Sequence, residues 1–118
     1  SSLRISPLEQ LAFLRKLVNR QLPVKAAAYE LAENLFEAGQ ADGWRLYGKT
    51  GTGSPGSNGV YTAANAYGWF VGWARKDGRQ LVYARLLQDE RATRPNAGLR
   101  ARDELVRDWP AMAGAWRP

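Results

Sequence analysis

The stretch YGWFVGWARKDGRQLVYARLL, residues 67–87, decides the fold. Its first part, Tyr67 to Ala74, is apolar at consecutive positions, so an extended chain here needs cover on both faces. Asp77-Gly78 follows, a dipeptide suited to a two-residue hairpin turn because both central positions take positive φ. Gln80 to Leu87 then reads as the returning strand. The pattern predicts antiparallel strands at 67–76 and 80–88, with the first of them central in its sheet.

Outward from this hairpin, Trp44, Leu46 and Gly48 alternate with Arg45, Tyr47 and Lys49. A period of two predicts a further strand over 44–50. Between it and Tyr67 lies a long linking loop rich in Gly, Ser, Asn and Ala. Loops of that length are usually functional or disordered. Near the start, Ser6-Pro7-Leu8-Glu9 has the form of a capping box with Pro at the first helical position. Leu8, Leu11, Leu14, Val18 and Leu22 then recur at helical spacing, predicting a helix over 6–22 that Pro23 ends. Val24, Ala27, Ala28, Leu31 and Leu35 predict a second helix over 24–38, with Gly39 as its stop. Asn96 is the expected N-cap of a last helix over 96–115. Its inward residues would be Leu99, Leu105 or Val106, and Trp109, with Pro110 ending or kinking it. The order α-α-β-β-β-α predicts an α+β fold, an antiparallel sheet of three strands flanked by helices, in a single segment 1–118.

Composition narrows the chemistry. The chain has 118 residues, no Cys and no His. Thiol nucleophiles, disulfides, imidazole ligands and a Ser-His-Asp triad are therefore excluded from it, and no metal site is expected. No apolar run reaches the length of a membrane span, so this segment is not expected to insert. The formal net charge of +6 raises nucleic acid as a partner. Its distribution argues otherwise. No acid occurs between Asp42 and Asp77, while Arg45, Lys49, Arg75 and Lys76 lie in that interval. A local patch of this kind suits a small anion better than a phosphate track, and basic-plus-stacking repeats are not seen.

Lys49-Thr50-Gly51 at the end of a strand is the K-T-G box of serine penicillin-recognising enzymes. Tyr47-Gly48 precedes it, Trp69-Phe70-Val71-Gly72 follows as a W-x-x-G box, and Gly98-Leu99-Arg100 opens the last helix. In this order the chain resembles, over almost its whole length, the C-terminal part of a class D (oxacillinase-type) serine β-lactamase. The resemblance implies a β-lactamase or penicillin-binding transpeptidase-like fold and β-lactam hydrolysis through a serine acyl-enzyme. It implies that Lys49 supplies charge and helps move a proton, and that the Thr50 hydroxyl and Arg100 bind the carboxylate of the β-lactam. Gly51 would let the backbone approach the ligand, and the backbone N–H of Thr52 would be one of two oxyanion-hole donors. Trp69 and Gly72 would be structural. Each residue also has a plainer reading: Lys49 as a solvated strand lysine, Thr50 and Thr52 as strand and turn residues, Arg100 as one of many surface arginines. Trp73 and Tyr47 read as core packing, with a proton relay as the alternative for Tyr47.

The chain departs from the complete family pattern. None of its serines, Ser1, Ser2, Ser6, Ser54 and Ser57, has Lys three residues on, and the S-x-V and Y-G-N boxes are absent. The nucleophile, and the carbamylated lysine of the family, are thus expected in an N-terminal part beyond these residues; no other cofactor is expected. These residues alone are expected to hydrolyse nothing, and to be ordered only beside that N-terminal part or a second copy. Thr52 stands where many relatives carry a bulky residue, which widens that wall. A periplasmic location is implied by the resemblance alone. The alternatives are the sensor domain of a membrane β-lactam receptor, a penicillin-binding transpeptidase, and a small basic binding module.

Overall fold

The computed structural model describes residues 6–21, 36–54 and 62–116. Helix α1 (Pro7–Val18) comes first, then β1 (Glu37–Ala41), β2 (Trp44–Gly53), a 3-10 turn at Ala63–Asn65, β3 (Tyr67–Lys76), β4 (Arg79–Gln88) and a helix, α2 (Ala97–Ala115). The strands form one sheet in the order β1-β2-β3-β4. The α+β architecture stands as expected, but among the described residues the sheet has four strands rather than three.

The extra strand corrects the end of the expected second helix. Residues 24–35 of that helix lie outside the described residues, while Glu37 and Ala38 belong to β1 and Gly39 sits inside it. The cause is a second two-residue turn. Asp42 and Gly43 have φ of 51° and 81°, and Asp77 and Gly78 have 49° and 80°. Both pairs take the left-handed values that match the twist of antiparallel strands. Ala41 therefore pairs with Trp44, Gln40 with Arg45 and Gly39 with Leu46, with a bulge before Glu37 meets Tyr47. Strand β2 runs on to Gly53, three residues past its expected end at 50.

Two compact units divide the chain: Ser1–Lys49 with Val71–Ala84, and Thr50–Phe70 with Arg85–Pro118. In the first, α1 opens with the expected capping box. The Glu9 amide donates to the Ser6 hydroxyl at 3.1 Å, and the Ser6 amide to the Glu9 carboxylate at 3.3 Å. The helix closes at Val18, before Pro23, because Arg20 takes φ of 54°. That turn lets the Gln21 amide donate to the Lys16 carbonyl at 2.8 Å and the Arg20 amide to the Leu17 carbonyl at 3.1 Å. Leu14 and Val18 bury against Tyr47 and Trp73, with Leu17, Phe36, Val71 and Val82 packed around them. Leu8, expected on the inward stripe, is 78% exposed. Tyr47 stacks on Trp73 with ring centroids 5.3 Å apart. The buried Tyr83 hydroxyl donates to the Tyr47 carbonyl, and burial raises its pKa well above the ordinary value.

In the second unit the core includes Ala66, Phe70 and the inward stripe of α2: Ala97, Ala101, Leu105, Trp109 and Ala113. Leu99 and Val106 are half-buried flanks of that stripe. Asn96 caps the helix as expected, accepting from the Leu99 amide at 3.0 Å. Pro110, expected to end or kink the helix, lies inside it and the helix continues to Ala115. A missing N–H removes one helical bond, and the stripe still has Ala113 to bury beyond it. On the outer side, Arg107 and Arg85 both donate to Asp108, and these bonds lower its pKa to about 2. A depressed carboxylate adds stability above its unfolded pKa and loses it as pH falls through the folded one. Carbon-detected NMR of the Asp108 carboxyl should therefore show titration near pH 2; a midpoint near the ordinary carboxylate value would refute the double pairing.

Candidate functional site

The far end of β2 carries a glycine alternation that sorts its two faces. A Cβ at Gly51 would lie 2.1 Å from the Trp69 indole, and one at Gly53 would lie 3.1 Å from the Tyr67 ring. Tyr67 and Trp69 stack at 5.7 Å. Two neighbouring aromatics of β3 therefore cover two glycines of β2. Gly51 is glycine because an indole fills the space its side chain would take. Since strand residues alternate, Thr50 and Thr52 present their side chains to the opposite face.

That face meets the start of α2. The Thr52 hydroxyl donates to the Asn96 side-chain oxygen at 3.1 Å and accepts from the Gly98 amide at 3.0 Å. Helix N-termini carry unpaired amides and a partial positive charge. Thr52 and Asn96 together satisfy two of those amides, Gly98 and Leu99, and fasten the helix to the strand end. Close approach is required on both sides. A Cβ at Gly98 would lie 2.6 Å from the Gly51 carbonyl oxygen, and one at Gly68 would lie 2.1 Å from the Gly98 nitrogen.

Arg100 stands one position past Leu99 on α2. Its Nε donates to the Pro95 carbonyl at 2.9 Å, and its Nη2 contacts both oxygens of Asp89, at 2.6 and 2.5 Å. Arg100 and Asp89 are separated by 11 positions, and nothing in the sequence pattern paired them. The remaining expected residues fall as follows. Thr50 and Thr52 are half-buried at the strand end, while Lys49 directly precedes Thr50 on β2 and is exposed. Gly72 is buried against β2, where a Cβ would lie 1.8 Å from the Tyr47 carbonyl oxygen.

The expected electropositive patch is narrower than the sequence implied. Arg45 lies 3.7 Å from Glu37. Arg75 sits over the Tyr47 ring and donates to Gln80 at 3.2 Å, and the Lys76 ammonium donates to the Asp42 carbonyl at 2.8 Å. Those three cations are engaged around the turn ends of the strands rather than gathered at the K-T-G end. Among the described residues no cluster of His, Cys, Asp or Glu fits a metal ion. No described helix is long and apolar enough to cross a membrane.

Comparison with known proteins bears on this arrangement. The profile of the penicillin binding protein transpeptidase domain matches residues 1–110. The chain is 41% identical to β-lactamase OXA-9 of Klebsiella pneumoniae over 97% of its own length and 42% of that protein's. Among solved structures, the class D β-lactamase OXA-427 superposes with a TM-score of 0.84 at 39% identity, over 97% of this chain and 47% of that one. The C-terminal domain of the Bacillus licheniformis BlaR penicillin-receptor superposes at 0.75 with 28% identity, over 98% and 43%. The chain thus spans somewhat under half the length of each of these relatives.

Proposed function

This chain belongs to the penicillin-binding protein transpeptidase domain family, as a relative of the class D β-lactamases, and from that membership we propose that it forms the K-T-G wall of a β-lactam-hydrolysing serine site. The observation that carries the reading is the strand end itself. Thr50 and Thr52 share one face, with the second held to the N-terminus of α2 and Arg100 on the same helix. Oxyanion stabilisation needs a donor whose position does not relax when charge develops. The side-chain latch on residue 52 would hold its backbone N–H in that way.

In this reading a serine outside these residues attacks the β-lactam carbonyl. The carbonyl oxygen takes up negative charge against the Thr52 amide, and the ring C–N bond breaks as its nitrogen gains a proton. Lys49 would assist that proton's movement and add positive charge, while the Thr50 hydroxyl and Arg100 would hold the drug's carboxylate. Water then hydrolyses the ester and frees the serine, activated by a carbamylated lysine that, like the serine, would lie in an N-terminal part. The reaction calls on no metal, and a periplasmic setting fits it.

The likeness to the BlaR domain supports a second reading, a sensor that is acylated without turnover. Its lower identity makes it the weaker one; a transpeptidase acting on peptidoglycan shares the domain family, but the relatives named above are β-lactamases and a penicillin receptor. Time-resolved intact-mass spectrometry of the protein carrying this chain, mixed with benzylpenicillin, tests all of them. The hydrolase reading expects an adduct that appears and clears while penicillin is consumed. It also expects Lys49→Ala to slow acylation by about a hundredfold or more, the usual scale of a lost proton-transfer group. A persistent adduct would point to a sensor or a transpeptidase rather than a hydrolase, and no adduct at all, or full-rate acylation by Lys49→Ala, would overturn the role given to this wall.

A further inference from the structure

Arg100 is restrained on two of its three nitrogens before any ligand is considered. Its single Nε hydrogen points to the Pro95 carbonyl at 2.9 Å, and Nη2 engages both Asp89 oxygens. A guanidinium offers five N–H groups in a rigid plane. Nη2 meets both oxygens of one carboxylate, which a single N–H can serve, so the two hydrogens on Nη1 and one on Nη2 remain. A carboxylate normally docks on a fork of two nitrogens, either Nε with Nη2 or Nη1 with Nη2. Pro95 and Asp89 close the first of these, so a ligand carboxylate must approach from the Nη1 edge.

The acid that helps to close it is itself well held. The Asp89 side chain is 9% exposed against 22% for Arg100. Its own amide donates to the Ala66 carbonyl at 2.8 Å. The pair therefore joins the loop after β4 to the first turn of α2, beside the strand end that carries Thr50 and Thr52.

We infer that Asp89 is a positioning residue for Arg100, fixing the guanidinium so that a ligand carboxylate is met by its Nη1 edge. This inference rests on the β-lactam reading above and adds to it a residue that does not itself touch the ligand. A free arginine would lose side-chain freedom on binding; one held in advance loses less, which favours affinity for a carboxylate placed to suit Nη1.

Steady-state hydrolysis of benzylpenicillin by the protein carrying this chain tests the inference, using Asp89→Asn, Asp89→Glu, Arg100→Ala and the Asp89→Asn/Arg100→Ala double variant. Asp89→Asn should raise KM about tenfold, the scale of a weakened charge-assisted bond, with kcat within about twofold. Asp89→Glu keeps the charge but moves it by a methylene, and should raise KM by a smaller factor, about threefold. In the double variant Asp89→Asn should add nothing to the KM of Arg100→Ala, because it acts through that residue. An unchanged or lowered KM in Asp89→Asn, or additive effects in the double variant, overturns the inference. Should Asp89→Asn fail to fold by thermal melting, an unchanged KM in Asp89→Glu overturns it equally. If the wild-type protein does not react with penicillin, the enzyme reading fails by itself. Nitrogen-15 NMR then decides the restraint: separate Nη signals from a hindered Arg100 guanidinium should merge in the aspartate variant. A guanidinium that rotates freely in the wild type would refute it.

Discussion

Replacing Gly72 with alanine should destabilise the protein by about 3 kcal/mol or more, at the upper end of the range for overpacking a core. The added carbon would sit 1.8 Å from the Tyr47 carbonyl oxygen and 2.6 Å from the Gly48 Cα. Both obstacles are backbone, so no rotamer change relieves the clash, and β2 must move away from β3. That shift would disturb the Tyr83 hydrogen bond to the same carbonyl and the stacking of Tyr47 on Trp73. Urea unfolding should show a lower midpoint with an unchanged slope. Gly114, inside α2 with nothing within 4 Å of an added Cβ, provides the contrast. Alanine there should stabilise by about 0.5–1 kcal/mol, because glycine is a poor helix residue. If both substitutions moved the midpoint by the same amount and sign, the close approach of β2 and β3 at Gly72 would be wrong.

The two hairpin turns show what determined legibility. Asp77-Gly78 was readable because apolar strands flank it on both sides. Asp42-Gly43 has the same chemistry and the same backbone values, yet the strand before it reads Glu37-Ala-Gly-Gln-Ala41. An edge strand needs only one partner for its backbone groups, and this one carries no apolar alternation to announce it. The helical spacing of the preceding Ala and Leu residues extended the expected helix over it. Helix α2, expected over 96–115, runs from Ala97 to Ala115. Its cap at Asn96 and most of its inward stripe were legible, but whether Pro110 ends a helix depends on what lies beyond. Ala113, small and on the stripe, was too weak a signal to show that burial continues.

The K-T-G box, the W-x-x-G box and the glycine before Leu99 were all visible as motifs. Their physical reasons were not. Gly51 is explained by Trp69 and Gly98 by the Gly51 carbonyl, contacts between residues far apart in the sequence. The Thr52 hydroxyl spans 44 positions to Asn96 and 46 to Gly98. Short side-chain hydrogen bonds at such separations have no periodicity and leave no trace in a single sequence. Asp89 was passed over for the same reason, since an acid just after a strand usually faces solvent.

On the proposed hydrolase reading, Gly98→Ala in the protein carrying this chain should lower kcat for a penicillin about a hundredfold, the penalty typical of a reacting group misplaced by about 1 Å. The new Cβ would stand 2.6 Å from the Gly51 carbonyl oxygen and 2.6 Å from the Thr52 hydroxyl oxygen. Space is the only objection to a side chain at 98, because the residue is helical and its φ is ordinary for an L-amino acid. To make room, α2 must back away from β2 or Thr52 must turn out of its bonds to Asn96 and Gly98. Either movement rotates the peptide that carries the Thr52 amide, the proposed oxyanion donor, and losing such a donor costs about 10²–10³ in kcat. The variant will also melt earlier, so rates should be compared well below both melting transitions. A lowered melting temperature with kcat intact would separate the two roles of this contact. The glycine would then serve packing alone, and the oxyanion amide would have to be sought at a residue that α2 does not hold in place.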